Sequence, residues 1–146
     1  DEMERLIGNE YLLQEEAELI DLEAVDAFGR SELAERIKSS ETVIREKRFS
    51  VVFGKEDFAQ VEGSDFEAGD EKVIVQGVID CAFFEDGGYT LIDFKTDHIL
   101  PGDEDILATR YRTQLSAYKA ALSMFTGEKV AKTLIWSFGL SKIIEV

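Results

Sequence analysis

Residues 73–95 read VIVQGVIDCAFFEDGGYTLIDFK, two runs rich in β-branched and aromatic side chains joined through Glu85-Asp86-Gly87-Gly88. Such runs favour strands, and Asp-Gly between them is a strong hairpin signal, because both central residues of the matching turn need positive φ. With Asp86-Gly87 as the turn, Glu85 pairs with Gly88, and counting back sets Asp80 opposite Asp93. Strict alternation places Val78, Asp80, Ala82 and Phe84 on one face with Tyr89, Leu91, Asp93 and Lys95. Ile79, Cys81 and Phe83 then share the other face with Thr90, Ile92 and Phe94. A bulge at Gly88 would shift this register by one residue and undo the facing of the aspartates.

Both faces are mostly apolar, as in a central strand pair. Two carboxylates opposed there repel each other and lose hydration, at a cost from a few tenths to several kcal/mol depending on burial. Lys95, two residues past Asp93, offsets part of that cost. A divalent cation does so better: Mg²⁺ takes one or two carboxylates while keeping waters for a substrate phosphate. The alternative is a pair of solvated hairpin carboxylates, which the apolar flanks VIVQGVID and YTLIDFK oppose.

Working outward, Leu22, Val25, Phe28, Leu33 and Ile37 recur at helical spacing. Gly29 splits this stretch into two helices, with Ser31 as N-cap of the second. Phe49–Phe53 predicts a strand, and the acidic stretch 54–71 an exposed loop. Apolar residues at 107, 111, 115, 118, 122 and 125 predict an amphipathic helix stopped by Thr126-Gly127. Val130–Phe138 predicts another strand and Lys142–Val146 a short one. The order α-β-β-β-α-β, with a helix between the third and fourth strands, permits a parallel crossover and hence a mixed α/β sheet flanked by helices. Residues 1–20 read as a polar lead-in and 21–146 as the domain.

The length of 146 residues suits one domain, and 45% hydrophobic residues are too many for a disordered acidic tail. No apolar run is long enough to span a bilayer, and the start, DEMERLIG, shows no basic segment followed by an apolar one, so no signal peptide is visible in it. With Asp1 in place of Met, the sequence reads as a piece of a longer chain. The one cysteine, Cys81, supplies neither a disulfide, a four-cysteine zinc site nor an iron–sulfur cluster, and makes a reducing, cytoplasmic setting the default. The net charge of −15 opposes non-specific binding to nucleic acid or anionic membrane. That charge is unevenly spread: residues 1–40 carry twelve acids against four bases, whereas 107–132 carry five bases against Glu128 alone.

Three motifs in order carry a resemblance: Gly77-Val78-Ile79-Asp80, then Asp93-Phe94-Lys95-Thr96-Asp97, then Gln114-Leu115-Ser116-Ala117-Tyr118. Together they resemble the RecB-type nucleases of the PD-(D/E)XK superfamily, from about Val25 to Phe138. The resemblance implies a restriction-endonuclease-like fold and a Mg²⁺-dependent exodeoxyribonuclease, with Mn²⁺ as substitute metal. The substrate would be a single strand from a duplex end, the 3′-terminated one, handed over by motor domains of the same chain. A second helicase–nuclease subunit would be its partner in recombinational repair of double-strand breaks.

By the same resemblance Asp80, Asp93 and the backbone carbonyl of Phe94 ligate metal, and Lys95 orients the attacking water or stabilises charge on the phosphate. Glu46, ahead of the first strand, would hold metal or water, or be an ordinary surface glutamate. Gln114 and Tyr118, one helical turn apart, would position substrate and site; Tyr118 falls on the apolar stripe and also reads as a core residue, for which Gln114 beside that stripe has less reason. Arg110, Arg112 and Lys119 would take the DNA backbone. The resemblance also expects a metal-ligating His in an upstream helix. None precedes Glu46, and His98, after the DFKTD run, reads as a solvated loop residue. Either that helix lies before this sequence or this member lacks it, and the isolated piece is expected to be weakly active or inactive. The rival reading is a non-catalytic nuclease fold kept for DNA clamping or subunit docking.

Overall fold

The computed structural model describes residues 4, 5, 8, 21–65 and 69–146, so the lead-in falls almost wholly outside the described residues. From Leu22 onward the described elements begin with two short helices, α1 (Leu22–Gly29) and α2 (Glu32–Ser39). Their caps follow the sequence: the Ala24 amide donates to the Asp21 carboxylate at 3.0 Å and the Ala34 amide to the Ser31 hydroxyl at 3.1 Å. Strand β1 (Val43–Phe53) leads into a one-turn helix α3 (Lys55–Phe58), followed by β2 (Val73–Glu85) and β3 (Gly88–Lys95). Helix α4 (Glu104–Thr126) crosses over to β4 (Val130–Ser137), and β5 (Lys142–Glu145) ends the sheet. Gly127, at φ 74°, caps α4 in the left-handed region.

The five strands lie in sequence order, antiparallel except for β3 and β4, which the α4 crossover makes parallel. The hairpin has the register its turn demands: Glu85 pairs with Gly88, and the ladder runs without a bulge to Cys81–Ile92. Asp86 and Gly87 both have positive φ, 49° and 78°, as a type I′ turn requires. The irregularity falls between β3 and β4 instead, at Tyr89/Thr90.

Helices cover both faces. On the α4 side Ala121 and Leu122 pack with Ile79, Ala82 and Leu91, and farther along α4 Leu107 and Leu115 pack with Ile135. On the other side Leu33 and Ile37 of α2 pack with Cys81, Phe83, Ile92 and Trp136, joined by Phe28 of α1. At the turn end, Glu85 accepts a two-point contact from Arg36 of α2 and a hydrogen bond from Thr90, which ties α2 to the hairpin. Arg36 first, and Thr90 after it, hold the Glu85 carboxyl below its usual range against the opposing effect of burial.

Three expectations need correction. Strand β1 begins at Val43, six residues before Phe49, because Val43 and Ile44 pair with Phe83 and Ala82; the charged run Arg45–Arg48 hides this in the sequence. Glu46 therefore lies within the strand. The acidic stretch after it holds helix α3, whose Gly54 amide donates to Asp57 at 2.7 Å. In α1 the buried residue is Ala24, while Leu22 and Val25 are half-exposed.

Strict alternation also fails at Asp80. On β1, Ile44 packs on the α4 side, and so do Phe49, Val51 and Phe53; on β2, Val75 and Ile79 share that side with Ala82 and Phe84. Each strand thus changes parity once, and both change together where Glu46 stands across from Asp80. The ladder has no pair there, although its register is the same on either side, and Glu46 adopts φ 47°. Ile79 is therefore on the α4 side, and Val78 is exposed on the opposite one.

Gly77 precedes this switch. A Cβ there would meet the Tyr118 hydroxyl at 2.5 Å and the Phe49 ring at 2.9 Å. Gly77→Ala is expected to destabilise the fold by about 1–3 kcal/mol through overpacking, read as a lower denaturation midpoint at unchanged slope. A wild-type midpoint would show that Tyr118 and Phe49 yield freely.

Candidate active site at the end of the central hairpin

Backbone pairing between β2 and β3 ends at Cys81–Ile92, one step short of the two aspartates. Beyond it the Phe94 amide donates to Asp80 Oδ2 at 2.9 Å, so a side chain takes the place of the next ladder bond. Asp80, Glu46 and Phe94 line one open cleft of about 750 Å³ together with Phe28, Ile37 and Arg45. Phe94 is fixed there by edge contacts to Phe28 and a tilted contact to Phe138.

Asp93, at the end of β3, is only 5% exposed. Its Oδ2 is enclosed, with Lys95 Nζ at 2.7 Å as an ion-pair partner and no well-directed hydrogen bond. Burial, the largest influence, pushes the Asp93 carboxyl above the usual range; Lys95 opposes this without cancelling it, and the charges of Asp80 and Asp97 add to the rise. For Lys95, burial favours the neutral amine, but Asp93, followed by Tyr111 and Asp80, outweighs it and raises the pKa. Lys95 is therefore a fixed positive charge at neutral pH rather than a proton acceptor. Cys81, 3% exposed, has a thiol pushed up by burial, which keeps it from acting as a thiolate.

The helix α4 residues separate into two groups. Arg110, Gln114 and Tyr118 recur every four residues along one ridge. Arg110 binds Asp97 at its lower end, and Tyr118 stacks edge-on to Phe49 over Gly77 at its upper end, rings 5.1 Å apart. Half-buried Gln114 is carried between them. Arg112 and Lys119 belong to another ridge and line a second cleft of about 320 Å³ with Ser116, Lys129 and Thr133. The basic strip expected from the sequence is thus two surfaces, because Arg110 is engaged by Asp97. His98 is exposed after β3. Sequence reasoning misses two partners in the site: Tyr111, which counts there only in the apolar stripe, and Asp97.

The donor set suits a hard divalent cation: two carboxylates at a strand end, one with an enclosed and under-satisfied oxygen. Among the described residues no group of three or more His, Cys, Asp or Glu side chains converges, so protein donors are few and water would complete the shell. Such a carboxylate pair with a lysine, at the ends of two strands of a mixed sheet, is the arrangement expected of the superfamily resembled above, and the comparison with known families agrees on the membership. The chain belongs to the PD-(D/E)XK nuclease superfamily, whose profile matches residues 3–143.

Its relatives are more particular. Proteins named as the A subunit of ATP-dependent helicase/nuclease are similar to it at 32% identity in Thermoanaerobacter sp. (strain X514), 31% in Clostridium perfringens (strain SM101 / Type A) and 36% in Ruminiclostridium cellulolyticum. These matches cover 99%, 100% and 97% of this chain but only 12%, 12% and 11% of those relatives. The likeness is to the C-terminal nuclease domain of AddA, also called RexA, within the RecB-type group. No described helix is long and apolar enough to cross a membrane.

The raised Asp93 pKa has a consequence for metal-free stability. The folded chain binds more protons than the unfolded one between the ordinary carboxylate pKa and the raised value, so this group's contribution is complete below the ordinary value and is lost as pH rises through the raised one. Denaturation of wild type and Asp93→Asn across that window should show the difference in stability moving steadily in favour of Asn as pH rises, then levelling. A difference independent of pH would place the Asp93 carboxyl in an ordinary environment.

Proposed function

We propose that this chain is the metal-dependent DNA nuclease domain, residues 21–146, of an ATP-dependent helicase–nuclease that processes double-strand breaks. The observation that carries the reading is the enclosed Asp93 oxygen beside Asp80 and Lys95 in a chain of the PD-(D/E)XK superfamily. Asp80 and Asp93 would hold the cation. The Phe94 carbonyl would join them: within a strand the N–H and C=O of one residue point the same way, and the Phe94 N–H points at Asp80. Glu46, on β1 across from Asp80, would hold a water rather than join the two aspartates as a third carboxylate ligand, since no three such side chains converge among the described residues.

A divalent cation, Mg²⁺ with Mn²⁺ as substitute, supplies positive charge at the scissile phosphate and acidifies water there. Lys95 brings a permanent ammonium next to that place, stabilising charge as it builds on the phosphate and orienting the attacking water. Gln114 and Tyr118 would align the strand along the α4 ridge, while Arg112 and Lys119 take backbone phosphates on the neighbouring cleft and Arg110 does so only on leaving Asp97. The polyanionic substrate is a single strand from a duplex end. Its capture by a domain of charge −15 belongs to motor domains of the same polypeptide and to a second, AddB/RexB-like partner, in the cytoplasm and away from membrane.

The test is cleavage of end-labelled single-stranded DNA by the full-length polypeptide. Activity should require Mg²⁺ or Mn²⁺ and be abolished by Asp80→Asn, which keeps an oxygen for the Phe94 amide while removing the charge. Calorimetry should show divalent-ion binding lost in the same variant. Cleavage that survives Asp80→Asn would overturn the assignment. Changing Arg112 and Lys119 together to Gln should lower the slope of log affinity against log salt for single-stranded DNA by about 1.4. An unaltered slope would place the DNA path elsewhere.

A further inference from the structure

Lys95 has a second neighbour besides Asp93. Its Nζ lies 4.0 Å from the centroid of the Tyr111 ring. The Tyr111 hydroxyl in turn donates to the Asp97 carboxylate, at 3.0 and 3.1 Å from the two oxygens, and Arg110 Nη1 donates to Asp97 Oδ1 at 2.5 Å. The ring is thus anchored at both ends, by the α4 backbone at one and by Asp97 at the other. Its face is turned to a cation. Packing alone would ask for neither the hydroxyl tether nor a ring face under an ammonium.

A lysine side chain has four rotatable bonds, and Asp93 fixes only its tip. The Asp93 Oδ2 that now meets Lys95 is the same enclosed oxygen that a cation would claim. Once that oxygen is taken, the ion pair weakens and the ring is what remains to keep the ammonium from swinging into solvent.

We propose that Tyr111 is a positioning residue of the nuclease: its ring face seats the Lys95 ammonium, and Asp97, braced by Arg110, fixes the ring. This rests on the reading of Lys95 as a charge that acts on the phosphate. Two variants separate ring from hydroxyl. Tyr111→Phe keeps the face and loses the tether, whereas Tyr111→Leu keeps apolar bulk and loses the face.

In the full-length polypeptide, Tyr111→Leu should lower kcat on the order of tenfold with KM for DNA and divalent-ion affinity unchanged. Tyr111→Phe should stay within about threefold of wild type. Asp97→Ala, which removes the anchor of the Tyr111 hydroxyl and of Arg110 together but keeps the ring face, should fall between them. A second readout needs no metal: in protein labelled with ¹³C at the lysine ε carbons, the Lys95 methylene should be displaced upfield by the ring current in wild type and Tyr111→Phe. In Tyr111→Leu it should return to the ordinary lysine position.

A wild-type kcat in Tyr111→Leu, or a Lys95 signal that this substitution does not move, would overturn the proposal. Lys95→Ala distinguishes failure of the ring contact from failure of the underlying reading. It should be inactive; full activity would remove Lys95 itself from the chemistry, whatever the ring does.

Discussion

The hydrogen bond from the Phe94 amide to the Asp80 carboxylate is the joint on which the site turns. Strands β2 and β3 are paired through their backbones up to Cys81–Ile92, and a continued ladder would have closed the gap that the Asp80 side chain enters. By accepting the next amide with a side chain, Asp80 lets the strands part without leaving a buried donor unpaired. The cost of opening a sheet is thereby kept small. The same residue sits where β1 and β2 reverse their facing, with Glu46 at positive φ across from it. One locality therefore ends the ladder, turns Val78 outward and sets an aspartate at the mouth of a cleft.

Electrostatics complete what the backbone begins. Asp93 is enclosed and repelled by Asp80 and Asp97, and Lys95 answers only part of that strain, so the carboxyl is harder to ionise than usual. A buried pair with one under-satisfied oxygen is poor as a stabilising device, since desolvation rivals the attraction. It is better suited to receive a cation. The opposite end of the hairpin is the better-satisfied one, where Glu85 is answered by Arg36 and Thr90 and the α2 helix is pinned.

Much of this is legible from residues. Asp86-Gly87 dictates the turn, the turn dictates the register, and the register carries Asp80 to the end of the ladder against Asp93. The α4 crossover follows from helical spacing between two strand-like runs, and Gly127 from its place after the last turn. The parity switch is not legible. The alternation on each side of Asp80 is regular by itself, and nothing in a glutamate among Arg and Lys announces positive φ. Sequence pattern therefore puts Glu46 outside the strand that contains it. Arg110 and Arg112, two residues apart, look alike in sequence but lie about 200° apart around a helix, so one meets Asp97 and the other an open cleft. Tyr111 fits the apolar stripe so well that its contact with Lys95 has no separate signal; its place three residues before Gln114 is the only hint.

Whether Asp80 and Asp93 jointly hold a divalent cation at the parted strand ends is decided by an anomalous difference map from crystals of the protein grown with Mn²⁺. A peak within about 2.0–2.3 Å of a carboxylate oxygen from each aspartate, with the Phe94 carbonyl oriented toward it, is the predicted result. A map with no peak there at saturating Mn²⁺, and Lys95 still seated on Asp93, would contradict it.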